Sequence, residues 1–270
     1  MQIRSAAKWI AAAAGILVGA VIVGFTLKDT TYIEAKLEQI KGARQSVTAV
    51  EKTTAKTQKI KNAEIVKETP LPESSCISDF AFTGQMPELP TGCEITSLTM
   101  ALNYYGYSAD KMAMALEYLP TVGWTNTYYG DNETLYGNDI YNYFIGNPQS
   151  ETDGLSCGAG AIVTAADGYL ADNGNAMKAE DETGSEPEQL YRFVSEGTPV
   201  VVWGTIGMEE RQIMEASWAM NDHCVVLIGY SVDSVTVADP IEGIVSYDRA
   251  QFESAFRSRG NQCVILKNVQ

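Results

Sequence analysis

One histidine, His223, stands in the whole 270-residue chain, so any imidazole-dependent chemistry must run through it. It opens the apolar run HCVVLIGY over 223–230, which reads as a strand. Asp239, 16 residues on, closes a second strand-like run, VTVAD. A hairpin with its apex near Ser231 lays Asp239 alongside His223. An apex at Asp233-Ser234 instead shifts the register and requires a bulge. A carboxylate beside an imidazole fixes the ring tautomer and stabilises the imidazolium. Asp222 adjoins His223 in sequence but points to the opposite face of such a strand. Asp239 is therefore the expected orienting acid.

Cys93 is the candidate nucleophile. It follows the turn Pro90-Thr91-Gly92 and heads a stretch with helical periodicity, Ile95, Leu98, Ala101, Leu102 and Tyr105, stopped by Gly106. At a helix N-terminus the dipole favours thiolate over thiol, and a nearby imidazole favours it further. Gly92 frees the backbone to turn and leaves room for a substrate. The Cys93 backbone N–H, unpaired at a helix start, can donate to an oxyanion, and Gln85 offers a side-chain amide as the second donor.

A lone histidine rules out zinc sites built on two or three of them, and no metal or cofactor is expected. The five cysteines, Cys76, Cys93, Cys157, Cys224 and Cys263, leave at least one thiol unpaired outside the cytoplasm. With Cys93 free, Cys224–Cys263 across neighbouring strands and Cys76–Cys157 is one of three pairings, beside the alternative that several are small buried apolar residues.

The elements that position these residues fall in a definite order. Helices are expected over 94–105, 110–119, 159–170 and 186–195, and strands over 198–203, 224–229, 234–237 and 263–266. Helices followed by antiparallel strands make an α+β domain over 76–270. Residues 121–156, rich in Gly, Asn and Tyr, read as long loops. Tyr128, Tyr129, Tyr136, Tyr141 and Tyr143 there form either a substrate lip or a cover over the sheet. Trp124 and Trp203 fit a cleft wall, and more readily the core.

Upstream, Arg4 and Lys8 precede an uncharged, mostly apolar run from Trp9 to Leu27, closed by Lys28. As a helix it spans about 28 Å, enough to cross a bilayer, and residues 1–28 read as an uncleaved signal anchor. Its flanking charge places the downstream chain outside the cytoplasm. Residues 29–75, polar and without a core-forming pattern, read as a stalk. Residues 1–75 carry 11 Lys and Arg against 7 Asp and Glu, a net of +4, whereas 76–270 carry 8 against 27, a net of −19. A domain this acidic would repel phosphates, so nucleic acid is excluded as a partner.

The runs ELPTGCEITSLTMALNYYG, GTPVVVWGTIG and DHCVVLIGY…VTVADPIEG, in that order, resemble the stand-alone C39-like peptidases over residues 80–268. Those proteins are commonly membrane- or wall-associated in Gram-positive bacteria. They belong to the papain-like group that includes the bacteriocin-leader peptidases of ABC exporters. The resemblance implies a papain-like fold, a nucleophile helix packed on an antiparallel sheet. It also implies Cys93 as nucleophile, His223 as base, Asp239 as orienting acid and Gln85 in the oxyanion hole, at a longer spacing from the cysteine than in exporter-linked members. The implied activity is hydrolysis of a peptide or protein at the cell surface. The same site would serve a cell-wall amidase or transpeptidase, and the same fold a non-catalytic peptide-binding module.

Overall fold

The computed structural model describes residues 70–124, 128–129, 135–211 and 221–269. The expected membrane span and most of the stalk lie outside these residues. Among the described residues no helix is long and apolar enough to cross a membrane.

The scaffold is one antiparallel sheet. Its strands are β1 (Ser75–Cys76), β6 (Met177–Asp181), β7 (Val200–Thr205), β8 (Asp222–Tyr230), β9 (Ser234–Asp239), β10 (Gly243–Asp248) and β11 (Cys263–Asn268). They run in the order β10-β9-β8-β7-β11-β6, and β1 pairs with the end of β8. Four two-residue strands form two small pairs apart from it: β2 (Thr121–Val122) pairs with β5 (Phe144–Ile145), and β3 (Tyr128–Tyr129) with β4 (Leu135–Tyr136). All six residues of β7, VVVWGT, are buried, as a β-branched run at the centre of a sheet should be. In β10 burial alternates, which fits an edge strand with one face toward solvent.

Helices cover the sheet. The first, α1 (Cys93–Tyr104), buries every residue from Cys93 to Leu102 and packs chiefly on β8. Ser97 Oγ ties the two together by donating to the Cys224 carbonyl at 3.0 Å. Then α2 (Lys111–Ala113), capped by the Asp110 side chain, widens into a π turn over Met114–Tyr118. Next, α3 (Ala159–Asp172) packs through Ala161, Ile162, Ala165, Ala166 and Leu170. Glu186 and Pro187 start α4 (Pro187–Ser195), and α5 (Arg249–Ser258) lies along β7, β9 and β10.

The α+β class is as expected, and the four expected helices and four expected strands are all present within a few residues. β1, β6, β10 and α5 were not anticipated. Trp203 is a core residue, its indole N–H donating to the Cys157 carbonyl at 2.8 Å. The cysteine pairing is overturned: all five cysteines are free thiols. β7 separates β8 from β11, with Cys224 opposite Trp203 and Cys263 opposite Val202. Consecutive residues of β7 face opposite sides, so these two thiols point away from each other. Cys76 sits beside Gly229, whereas the Cys157 amide meets Glu94 near Asp222, seven residues or about 23 Å along β8. A disulfide needs Cα atoms within about 7 Å.

Candidate active site

Cys93 is the first residue of α1, and Gly92 is its cap. The reason for glycine is packing more than backbone freedom. Its φ is an ordinary −103°, but a Cβ there would lie 2.9 Å from the Leu89 Cβ. Leu89 is fully buried, so it cannot move aside cheaply. As the first helical residue, Cys93 has no intrahelical acceptor for its N–H.

His223 and Asp239 meet as expected, but through a bulged hairpin and not the regular one with its apex near Ser231. Ring Nε2 lies 2.8 Å from Asp239 Oδ1, and the side chains are 2% and 1% exposed. The route is less simple than a regular hairpin. The turn closes by the Ser231 N–H donating to the Ser234 carbonyl at 2.7 Å, and the β8–β9 register shifts between Leu227 and Gly229. Val226 then opposes Ala238, so His223 and Asp239 lie diagonally across the pair. Oδ1 of Asp239 also accepts from the backbone N–H groups of Ile241 at 2.8 Å and Glu242 at 3.3 Å. Burial alone would raise its carboxyl, but the His223 contact and these two amides outweigh burial and hold it below the usual carboxylate value. With Nε2 committed to Asp239, Nδ1 is the ring nitrogen left for chemistry.

Gln85 is buried beside the same sheet end. Its backbone N–H donates to the Pro240 carbonyl at 2.9 Å, one residue past Asp239. Lys111 Nζ donates to the Gly84 carbonyl at 2.6 Å, the Gln85 carbonyl at 3.0 Å and the Glu88 carboxylate at 2.8 Å, pinning the segment. The Gln85 side-chain Nε2 donates to the Pro90 carbonyl at 2.9 Å, three residues before Cys93. An amide nitrogen carries two hydrogens, so one donor remains.

The thiol itself departs from expectation. Burial pushes Cys93 well above the ordinary thiol value, the charges of Glu94, Cys224 and Asp222 add to that, and only the Cys224 backbone acts the other way. The Cys93 thiol donates to Glu94 Oε2 at 3.4 Å. The Cys224 backbone contact brings the residue after His223 to the thiol and so joins the head of α1 to the head of β8. In this state the thiol is protonated and held by Glu94, a residue the sequence reading passed over. A single acidic side chain in an otherwise uncharged, wholly buried helix start was the available signal.

Asp222 is engaged elsewhere. Its Oδ1 pairs with Arg259 Nε at 2.7 Å, and its Oδ2 lies 2.6 Å from Ser156 Oγ. Of the aromatic-rich segment, Tyr141 and Tyr143 are exposed. Among the described residues no cluster of His, Cys, Asp and Glu is arranged to hold a metal.

A thiol heading a buried helix, laid on a sheet that carries a buried imidazole–carboxylate pair, is the arrangement of a cysteine peptidase. The chain belongs to the Peptidase_C39 like family, whose model matches residues 77–264. It is 30% identical over 192 residues to the uncharacterized protein YvpB of Bacillus subtilis (strain 168), a match spanning 67% of this chain and 71% of that protein. A crystal structure assigned to a C39-like peptidase from Bacillus anthracis superposes with a TM-score of 0.62 at 31% identity, covering 74% of this chain and all of that one, 100%. The protein is accordingly a cysteine peptidase of the C39-like group.

Proposed function

We propose that this protein is a membrane-anchored, extracytoplasmic peptidase that cleaves a peptide or protein substrate at the surface of a Gram-positive cell through a Cys93–His223–Asp239 triad. The observation that carries the triad is the buried 2.8 Å contact between His223 Nε2 and Asp239 Oδ1, which leaves Nδ1 as the base. The apolar run at 9–27 supports the anchor, and the positive charges ahead of it support the orientation.

In this reading the resting thiol turns from Glu94 to His223 Nδ1 and gives up its proton there. The thiolate sulfur attacks the substrate carbonyl carbon, and the carbonyl electrons move onto oxygen. The Cys93 N–H and the remaining Gln85 amide hydrogen receive that oxyanion. Protonated His223 hands its proton to the departing amine, leaving a thioester on Cys93. Water, deprotonated by His223, then attacks the thioester, frees the acid and restores the thiol. Because burial favours the neutral thiol, activation depends on proton transfer to His223 during attack, not on a standing ion pair.

The test is a peptide-library cleavage assay on the full-length protein beside Cys93→Ala and His223→Ala, with circular dichroism as a folding control. Both variants should fold and lose turnover. Undiminished cleavage by Cys93→Ala sinks the triad. Location is read separately, by the access of an external protease to the domain in intact cells; protection of the domain there overturns the extracytoplasmic placement.

A further inference from the structure

Below the thiol lies a chain of buried polar groups that the triad does not use. Glu94, second in α1, is 1% exposed. Its Oε2 holds the Cys93 thiol at 3.4 Å, while its Oε1 contacts Ser156 Oγ at 2.6 Å and the Cys157 N–H at 3.0 Å. Ser156 Oγ, 3% exposed, also lies 2.6 Å from Asp222 Oδ2, and Asp222 Oδ1 pairs with Arg259 at 2.7 Å.

The hydrogens decide the protonation state. A hydroxyl has one hydrogen, so Ser156 can donate to only one of the two carboxyl oxygens it touches. The other contact at 2.6 Å is a hydrogen bond only if that carboxyl supplies its own proton. Two ionised carboxylates would leave one oxygen pair in bare repulsion. Arg259 pairs with Asp222 and not with Glu94, so the proton belongs on Glu94. Burial, and then the charge of Asp222, push the Glu94 carboxyl up in the same direction. The ionisable groups facing this chain are Cys93 from α1, Cys157 from the segment before α3, Cys224 from β8, Arg259 from the end of α5, and Arg211 against Asp222.

We propose that Glu94 is a positioning residue for the nucleophile, held neutral by a proton it shares through Ser156 with Asp222, and that loss of this proton as pH rises opposes thiolate formation at Cys93. The inference rests on the reading of Cys93 as nucleophile. Neutral Glu94 gives the thiol an acceptor without placing a charge beside it. Ionised Glu94 sets a full negative charge 3.4 Å from the sulfur. The same carboxyl fixes the Ser156–Cys157 backbone to the head of α1, so one side chain sets both where the sulfur rests and how readily it ionises.

The experiment measures iodoacetamide alkylation of Cys93 in the full-length protein, resolved by mass spectrometry of its peptide, against pH, in wild type, Glu94→Gln and Glu94→Ala. Glutamine keeps the shape and cannot ionise. Its alkylation midpoint should move to lower pH; the two proteins should react alike where Glu94 keeps its proton, and above that pH the variant should react faster, by about tenfold for each unit of that move. Glu94→Ala, which also drops the Cys157 tie, should lose peptide cleavage at all pH values. A Glu94→Gln midpoint equal to or above wild type overturns the proposal. A second readout needs no variant to fold: the infrared carbonyl band of a protonated carboxylic acid should persist in wild type at pH 7, and its absence overturns the proposal as well. Neither readout depends on turnover. If Cys93→Ala still cleaved peptide while these results held, the nucleophile assignment would fail and the proton chain would stand.

Discussion

His223 and Asp239 lie on adjacent strands, diagonally across the ladder, yet their side chains meet at 2.8 Å with at most 2% of either exposed. The register on the turn side, Tyr230 opposite Val235 and Gly229 opposite Thr236, would carry Asp239 opposite Val226; the shift between Leu227 and Gly229 moves it one residue nearer His223 and onto its face, which leaves the pair diagonal. The carboxylate is the fixed partner, because backbone N–H groups of Ile241 and Glu242 hold the oxygen that holds the ring.

Asp239→Asn should therefore lower kcat/KM by about two orders of magnitude at pH 7, since an amide can stabilise the wrong ring tautomer. The stability effect has a definite sign. The folded carboxyl titrates below its ordinary 3.8, so its contribution is present above that pH and is lost as pH falls through the lower folded value. The gap in Tm between wild type and Asp239→Asn should be open at pH 6 and close below pH 3.8. A gap that widens in acid would contradict this account.

For Gln85, the expected signature is kinetic and not structural. Lys111 and Pro240 hold its backbone, so Gln85→Ala should fold with a Tm near wild type. Loss of one oxyanion donor should cut kcat by about 10²–10³ and leave KM within a few-fold. Steady-state kinetics with any cleaved peptide checks this, and an unchanged kcat would remove Gln85 from the oxyanion hole.

Gly92→Ala asks whether the head of α1 is set by packing. The added methyl would meet Leu89 at 2.9 Å, and relief requires a shift of the residue beside Cys93. Destabilisation of about 1–3 kcal/mol by urea denaturation, with slower turnover at saturating substrate, is expected. A variant of wild-type stability would mean that the turn yields freely.

Glu94 makes a prediction about stability that is separate from reactivity. Its folded carboxyl titrates above 4.5, so its stabilising contribution is complete below that pH and is lost as pH rises through the raised folded value. Glu94→Gln does not titrate. Its Tm relative to wild type should therefore climb between pH 4 and pH 8. A difference that stays constant over that range would show that Glu94 has no raised value to lose.

Much of this enzyme is legible in the chain alone. Helical spacing after Gly92 and two strand-like runs, one opened by His223 and one closed by Asp239, depend on local rules of period and turn, and those rules placed Cys93 at a helix head and Asp239 within reach of His223, though not the bulge that sets the pair diagonally. Local rules also had more to offer: Asp248, whose side chain accepts from the Gln251 N–H, was a readable start for α5. β6, the charged segment MKAED, reads as no strand by propensity and is one because β11 pairs along its whole length. The cysteine pairing failed because it needed strand order, which puts β7 between Cys224 and Cys263. The thiol's protonation failed for a related reason. A helix dipole is a local property, but the burial of Cys93 and the Glu94–Ser156–Asp222–Arg259 chain join residues up to 165 positions apart. Which residues can react is written in their types and spacing. Which proton each one holds depends on solvent exclusion and on neighbours brought from distant strands, and only the folded chain supplies those.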